Sequence, residues 1–313
     1  REPATGQVTQ LLVGLADVEP GKGLELLPAF TSRQTSTRGA DGALSDGDVL
    51  GEPSLGVKYA PSSNLTAEAT ANPDFSQVES DAAQIDANTT FALFYPEKRP
   101  FFQEGADIFA TPFTVVHTRS INDPDFAAKL TARPGDYAVA LLSAVDAATP
   151  FTLPFEERSD YALGGRSVSN IVRVQRALGE ESRLGLLATD RRLDGGGAGS
   201  AGGVDGSLRL AQHWRLHWQA LWSRTEEPDD PALTAGLEGT TFDEGRHTAV
   251  FDGETFTGRA VYGSLQRRAR RWNLNLDWYE RSPTFRADNG FEPQNDLREA
   301  WIINGYKIYR DRG

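Results

Sequence analysis

The sequence predicts an all-β chain, an antiparallel up-and-down transmembrane β-barrel or a large part of one, with one segment folded inward as a plug. Three observations carry that expectation. Apolar residues recur with a period of two almost throughout, so that every second residue shares one face of a strand. Short turns alternate with long polar segments, as they do where barrel strands meet in tight turns at one membrane face and in long loops at the other. One aromatic, charged stretch fits neither pattern.

The barrel reading covers residues 24–313. Residues 1–23 are read as a lead-in from an upstream region, because the chain opens at Arg1 with neither Met nor a signal-peptide apolar stretch and so reads as a trimmed segment of something longer. The clearest strands are two. Over residues 214–223, one face carries Trp214, Leu216, Trp218, Ala220 and Trp222, and the other carries Arg215, His217, Gln219 and Ser223, with Leu221 as the exception. Over residues 272–279, Trp272, Leu274, Leu276 and Trp278 oppose Asn273, Asn275, Asp277 and Tyr279. Weaker alternation runs over 65–70 and 207–210. Further strands are expected over 24–33, 55–60, 113–120, 126–132, 137–145, 169–176, 183–191, 257–267 and 298–309. Several approach the ~9 to 11 residues of a tilted membrane-spanning strand.

From Tyr137 onward, short turns at 179–181, 212–213 and 268–271 alternate with long segments at 146–168, 192–203, 226–256 and 282–297. The glycine-rich run 195–203 reads as a loop tip, since no helix pattern follows it to make a phosphate cradle. Alternation alone does not say which face meets water, and a soluble β-sandwich has the same period. Two aromatics favour lipid. Trp214 and Trp222 share a face eight residues apart, about 20 Å along the membrane normal for a strand tilted by ~40°. That spacing places one ring near each interface, and with Trp218, Trp272 and Trp278 it makes a lipid-facing aromatic girdle.

Composition removes several alternatives. No apolar run approaches the ~18 residues of a membrane helix, and a formal charge of −12 argues against a nucleic-acid partner. With no Cys there is no disulfide framework and no thiolate site. Lys is scarce beside Arg, a bias assigned to the genome. No cofactor is expected.

The stretch that breaks the hairpin rhythm is 72–111. It is dense in turn residues and charge, yet Phe91, Phe94, Tyr95, Phe101 and Phe102 crowd into it, which argues against disorder. A run as charged as Pro96, Glu97, Lys98, Arg99, Pro100 to Glu104 cannot face lipid. The expectation is a lumen insertion in which Arg99 and Glu104 pair with wall residues of opposite charge. Asp74, Glu79, Glu97, Lys98, Arg99 and Glu104 are its candidate plug and lumen residues.

The motifs NPDFSQVESD, FALFYPEKRPFFQEGADIF, VVHTRSINDPDFAAKLT, RPGDYAVALLSA and SPTFRADNGFEPQNDLRE resemble a bacterial family of outer-membrane β-barrels of unknown function. Its members usually follow an N-terminal module similar to family 9 carbohydrate-binding modules. The likeness runs from about Leu24 to the C-terminus. It implies a bacterial outer-membrane location and, through the associated module alone, carbohydrate as a cargo. That module is absent from this chain, and family barrels run on past the point where Gly313 stands.

Chemistry adds little beyond this. Asp74, Glu79, Asp81 and Asp86 lack the spacing of a calcium loop and read as a solvated acidic turn. His213 and His217 would stand about 13 Å apart along a strand, too far for one metal, so no metal site is expected. No GxSxG elbow precedes a helix. A pair of carboxylates for glycoside chemistry is always available in so acidic a chain, which makes it uninformative. The chain is therefore expected not to be an enzyme. The expected role is passage or docking of a solute, carbohydrate or another small molecule, with outer-membrane lipid and other envelope proteins as partners. Two alternatives stand beside it: a non-transporting scaffold that anchors an upstream carbohydrate-binding module, and a soluble β-sandwich adhesin.

Overall fold

The computed structural model describes residues 23–38, 42–73 and 90–309. Strands β1 (Gly23–Arg38), β2 (Leu44–Ser62), β3 (Leu65–Ala71), β4 (Pro124–Ala132) and β5 (Tyr137–Asp146) run antiparallel in chain order. A separate hairpin of β6 (Thr149–Pro154) and β7 (Ser159–Gly164) follows. The sheet resumes with β8 (Ser167–Ala177), β9 (Arg183–Leu193), β10 (Ala198–Ala211) and β11 (Trp214–Glu226). After a small ribbon of β12 (Thr241–Phe242) and β13 (His247–Thr248), it ends with β14 (Thr255–Arg268), β15 (Trp272–Arg281) and β16 (Leu297–Tyr306). The twelve long strands form one antiparallel sheet in which each pairs with the next long strand in sequence; β1 and β16 stand at its two edges. No helix among the described residues is long and apolar enough to cross a membrane.

The turns at 63–64, 133–136, 178–182, 212–213 and 269–271 fall at one end of the sheet. The excursions 72–123, 147–166, 227–254 and 282–296 fall at the other. One expected long loop is missing: β9 and β10 are joined by 194–197 alone. Gly195, Gly196 and Gly197 lie in that turn, the last two at positive φ, and Gly199, Gly202 and Gly203 belong to β10. There they serve close approach, since a Cβ on Gly203 would collide with the backbone at Ala220 and Leu221. β2 likewise begins at Leu44, well before the expected 55.

Residues 113–120 are not a strand. Their backbone donors are taken by side chains and by another loop: Phe113 N–H donates to Gln219 Oε1 (2.9 Å), Thr114 N–H to Glu292 Oε1 (2.8 Å) and His117 N–H to the Asn289 carbonyl (2.8 Å). Alternation here reflects a segment wedged between two packing surfaces, which has the same period as a ladder.

The two faces of the sheet have inverted character. The outward face is apolar, with Trp222 60 % and Ile302 75 % exposed and Leu186, Val172, Val261 and Trp278 also open. On the covered face, Arg173, Arg191, Asp205, Gln219 and Lys129 are buried. Leu221, the exception to the alternation, lies on that face within a core that includes Phe102, Ile108, Phe113, Ile171, Leu187 and Phe285. The excursions hold a second core of their own, in which Phe151, Leu153 and Phe155 of the β6–β7 hairpin meet Phe242, Phe251 and Phe256.

Candidate functional site

The covered face is occupied by residues 90–121. A single helical turn, α1 (Pro100–Gln103), opens with Pro100 at its first position, where the missing N–H costs nothing. Before it stands Arg99, wholly buried. Its Nε and Nη2 donate to the two oxygens of Glu97 (2.9 and 2.8 Å), and Nη1 and Nη2 to the carbonyls of Ile121 and Thr118 (2.7 Å each). The guanidinium lies 4.3 Å from the centre of the Phe102 ring. Glu97 also accepts Thr118 Oγ1 (2.5 Å). Burial works to raise this carboxyl, yet the bonds from Arg99 and Thr118 outweigh it and hold it at about 2. Arg99 thus takes its carboxylate from its own segment and not from the wall, because Glu97 two residues away reaches it without crossing the interior.

The other candidates sort differently. Glu104 pairs with Lys58 of β2 at 2.7 Å, while Lys98 is exposed. Asp74 and Glu79 lie outside the described residues. Of the tryptophans, Trp222, Trp272 and Trp278 are exposed on the outward face, and Trp214 and Trp218 share that face but are half-buried. Trp214 and Trp272 meet edge-on, 6.2 Å between ring centres, with Arg267 over both. The Trp218 ring lies over Gly206, where a Cβ would come within 2.6 Å of it.

Wall and segment are joined by polar contacts that the sequence does not announce. Arg173 of β8 grips Asp205 of β10 with two nitrogens and donates Nε to the Ile108 carbonyl (3.2 Å). Arg191 of β9 donates to Ser169 Oγ (2.9 Å), the Ser120 carbonyl (2.8 Å) and Ser120 Oγ (3.0 Å). Lys129 of β4 donates to the Glu104 and Phe101 carbonyls and pairs with Glu68 of β3 at 3.3 Å. The 282–296 excursion packs over the same covered face. Arg281 pairs with Glu292, and Arg286 with Glu227 at 2.6 Å, where burial pushes Glu227 up to about 7 against the pull of Arg286. Gly290 permits its passage, since any Cβ there would strike the backbone of Thr114 and Val115.

At the long-loop end a cavity of about 380 Å³ opens between the segment, the β6–β7 hairpin and the 282–296 excursion. Tyr95, Tyr161, His117 and Phe291 present rings to it, and Arg119, Asn122, Asp160 and Asp288 present hydrogen-bonding groups. His117 packs between Phe94 and Phe291, 4.8 and 5.5 Å between ring centres. Burial, opposed by Glu97 and assisted by Arg119 and Arg99, lowers this imidazole to about 4, so it is neutral at ordinary pH. Burial also raises Asp288, while Arg191 and Arg286 pull it back. None of these lining residues belongs to the candidate set read from the sequence. They come from three excursions, and only the fold brings them together.

Comparison with known proteins gives a match of part of the chain to one family and a weak structural likeness. The profile of a family described as Domain of unknown function (DUF5916) matches residues 23–123. No curated protein matches. Among solved structures, the chain is similar to OmpT folded in vitro, an outer membrane protein of Vibrio cholerae, at 10% identity and a TM-score of 0.35, over 90% of this chain and 96% of that one. A loop L8 deletion mutant of the same OmpT aligns at 10% identity and a TM-score of 0.35, over 92% of this chain and 99% of the mutant.

Proposed function

We propose that the chain forms the wall of an outer-membrane β-barrel whose lumen is occluded by residues 90–121, and that it docks a small polar solute of the saccharide class in the long-loop cavity. The inverted faces carry this reading. A soluble sandwich buries its Trp face and solvates its Arg face, whereas here Arg173 and Arg191 have no exposure and Trp222 is 60 % exposed. The reach of one segment supports a curved wall. Glu104 pairs with Lys58 on β2, and nine residues later the Phe113 ring lies 4.6 Å from Tyr279 on β15. In a flat sheet those strands would stand about 43 Å apart.

Docking is favoured over passage because the interior is filled: Arg99, Phe113, Arg173 and Arg191 all have zero exposure. The cavity lining supports the saccharide class, since aromatic faces there can stack on sugar rings and Asp160, Asn122 and Arg119 can bond hydroxyls. The chain acts by binding, without catalysis.

Planar-bilayer conductance combined with saccharide titration tests the proposal. The intact chain is expected to be nearly non-conducting and to bind an oligosaccharide with at least tenfold loss in Tyr161→Ala. Deletion of 97–105 is expected to raise conductance. A wide, open conductance of the intact chain defeats occlusion; an occluded chain that binds no saccharide leaves the scaffold reading in place of docking.

A further inference from the structure

The excursion between β11 and β14 is pinned at its root. Glu227 N–H donates to the Glu254 carbonyl (2.9 Å), Gly253 N–H to the Pro228 carbonyl (3.3 Å), and Asp229 bridges Asp252. This zipper brings one carboxylate oxygen each from Glu227, Asp252 and Glu254 within 4.8 Å of one another. Glu227 is only 2 % exposed. Its Oε1 accepts Arg286 at 2.6 Å, but its Oε2 is buried with no hydrogen-bond partner.

A carboxyl oxygen left buried without a partner costs free energy, and native structures rarely keep one without a reason. Charge gives the same indication. Three carboxylates converge while Arg286 supplies one guanidinium, and His247 Nδ1 lies 2.8 Å from Glu254 Oε2 on the flank of the group.

We propose that Glu227, Asp252 and Glu254 bind a divalent cation, Ca²⁺ by the chemistry of the donors. Calcium–oxygen distances of about 2.3–2.6 Å keep the ligands of one ion within about 5 Å of each other, and the three oxygens lie within that limit. All three side-chain donors are hard oxygens, and the chain has no thiolate to offer a softer metal. Glu227 Oε2 becomes a ligand, and the surplus negative charge is balanced. The sequence reading weighs only His213 with His217 and the acids of 74–86 and expects no metal; these ligands belong to two other stretches about 25 residues apart, with none of the compact spacing of a calcium loop. In this arrangement the ion fastens the two ends of the 227–254 excursion, whose Phe242 and Phe251 belong to the second core. The site is independent of whether the cavity takes a solute.

The test is calorimetric titration of CaCl₂ into the full chain, refolded in detergent and stripped with chelator, together with limited proteolysis of 227–254. One saturable site is expected, with affinity lowered at least tenfold in Glu227→Gln and in Asp252→Asn, and cleavage slowed by Ca²⁺ in the wild type alone. Asp252 is exposed, so its variant reports even if Glu227→Gln fails to fold. No saturable binding in the wild type, or unchanged affinity in Asp252→Asn, overturns the site.

Discussion

Arg173 and Asp205 face each other on the covered side of the sheet, two guanidinium nitrogens on two carboxylate oxygens, with β9 between the strands that carry them. Gly185 of β9 lies between them, and its missing side chain is what allows them to meet: a Cβ there would come within 2.7–2.8 Å of both charged groups. Removing one partner leaves the other charge buried, so Asp205→Ala is expected to cost about 3–5 kcal/mol. Urea unfolding in detergent measures it. The double change Arg173→Met with Asp205→Leu is expected to recover most of that loss, because neither group is then left unpaired.

The outward face makes a second prediction. Arg in place of Trp218 or Leu276 is expected to cost roughly 2–4 kcal/mol in lipid vesicles if those positions lie near the midplane. On the covered face, Gln219→Leu is expected to cost about 1–3 kcal/mol for a different reason, since Phe113 N–H then loses its acceptor. Transfer to detergent should shrink the first effect and leave the second.

Acid should loosen the packing of residues 90–121 in two stages. His117 titrates at about 4 in the folded chain and near 6.5 unfolded, so the folded state binds fewer protons and loses stability as pH falls from 6.5 toward 4. Glu97, at about 2 folded against 4.5 unfolded, contributes fully above 4.5 and loses that contribution as pH falls toward 2. Glu227, raised to about 7, works the other way between 7 and 4.5. Thermal unfolding across pH 8 to 3 is expected to lose the upper limb in His117→Phe and the lower limb in Glu97→Gln.

The second core makes a local prediction. Phe251 is buried beside Phe151, 5.5 Å between ring centres. Phe251→Ala is expected to cost about 3–5 kcal/mol within the loop cap, opening 227–254 to protease while the wall strands stay protected.

Much of the wall was legible because a two-residue period survives any choice of partner strand. The Trp face, Leu221 as the inward apolar residue, and the short turns at 179–181, 212–213 and 268–271 all follow from local pattern. The failures share a cause. Residues 113–120 alternate because they are packed on two sides, and the glycines of β10 resemble a loop because a strand that others approach closely sheds its side chains. Arg99 was read as needing a wall partner because charge alone does not reveal that Glu97 folds back onto it. The cavity was invisible, since Tyr95, His117, Tyr161 and Asp288 are far apart in sequence and follow no shared period.

The Arg99 hub also bears on the order of assembly. Its bonds to Glu97, Thr118 and Ile121 lie within residues 97–121, a span whose closure is entropically cheap. The long strands, for their part, pair with their next long neighbours in the chain, so the wall can grow hairpin by hairpin. A nucleus of such low contact order forms faster than a sheet this wide. Under the proposed occlusion, damage at Glu97 or Arg99 is expected to slow refolding more than damage at the distant edges β1 and β16.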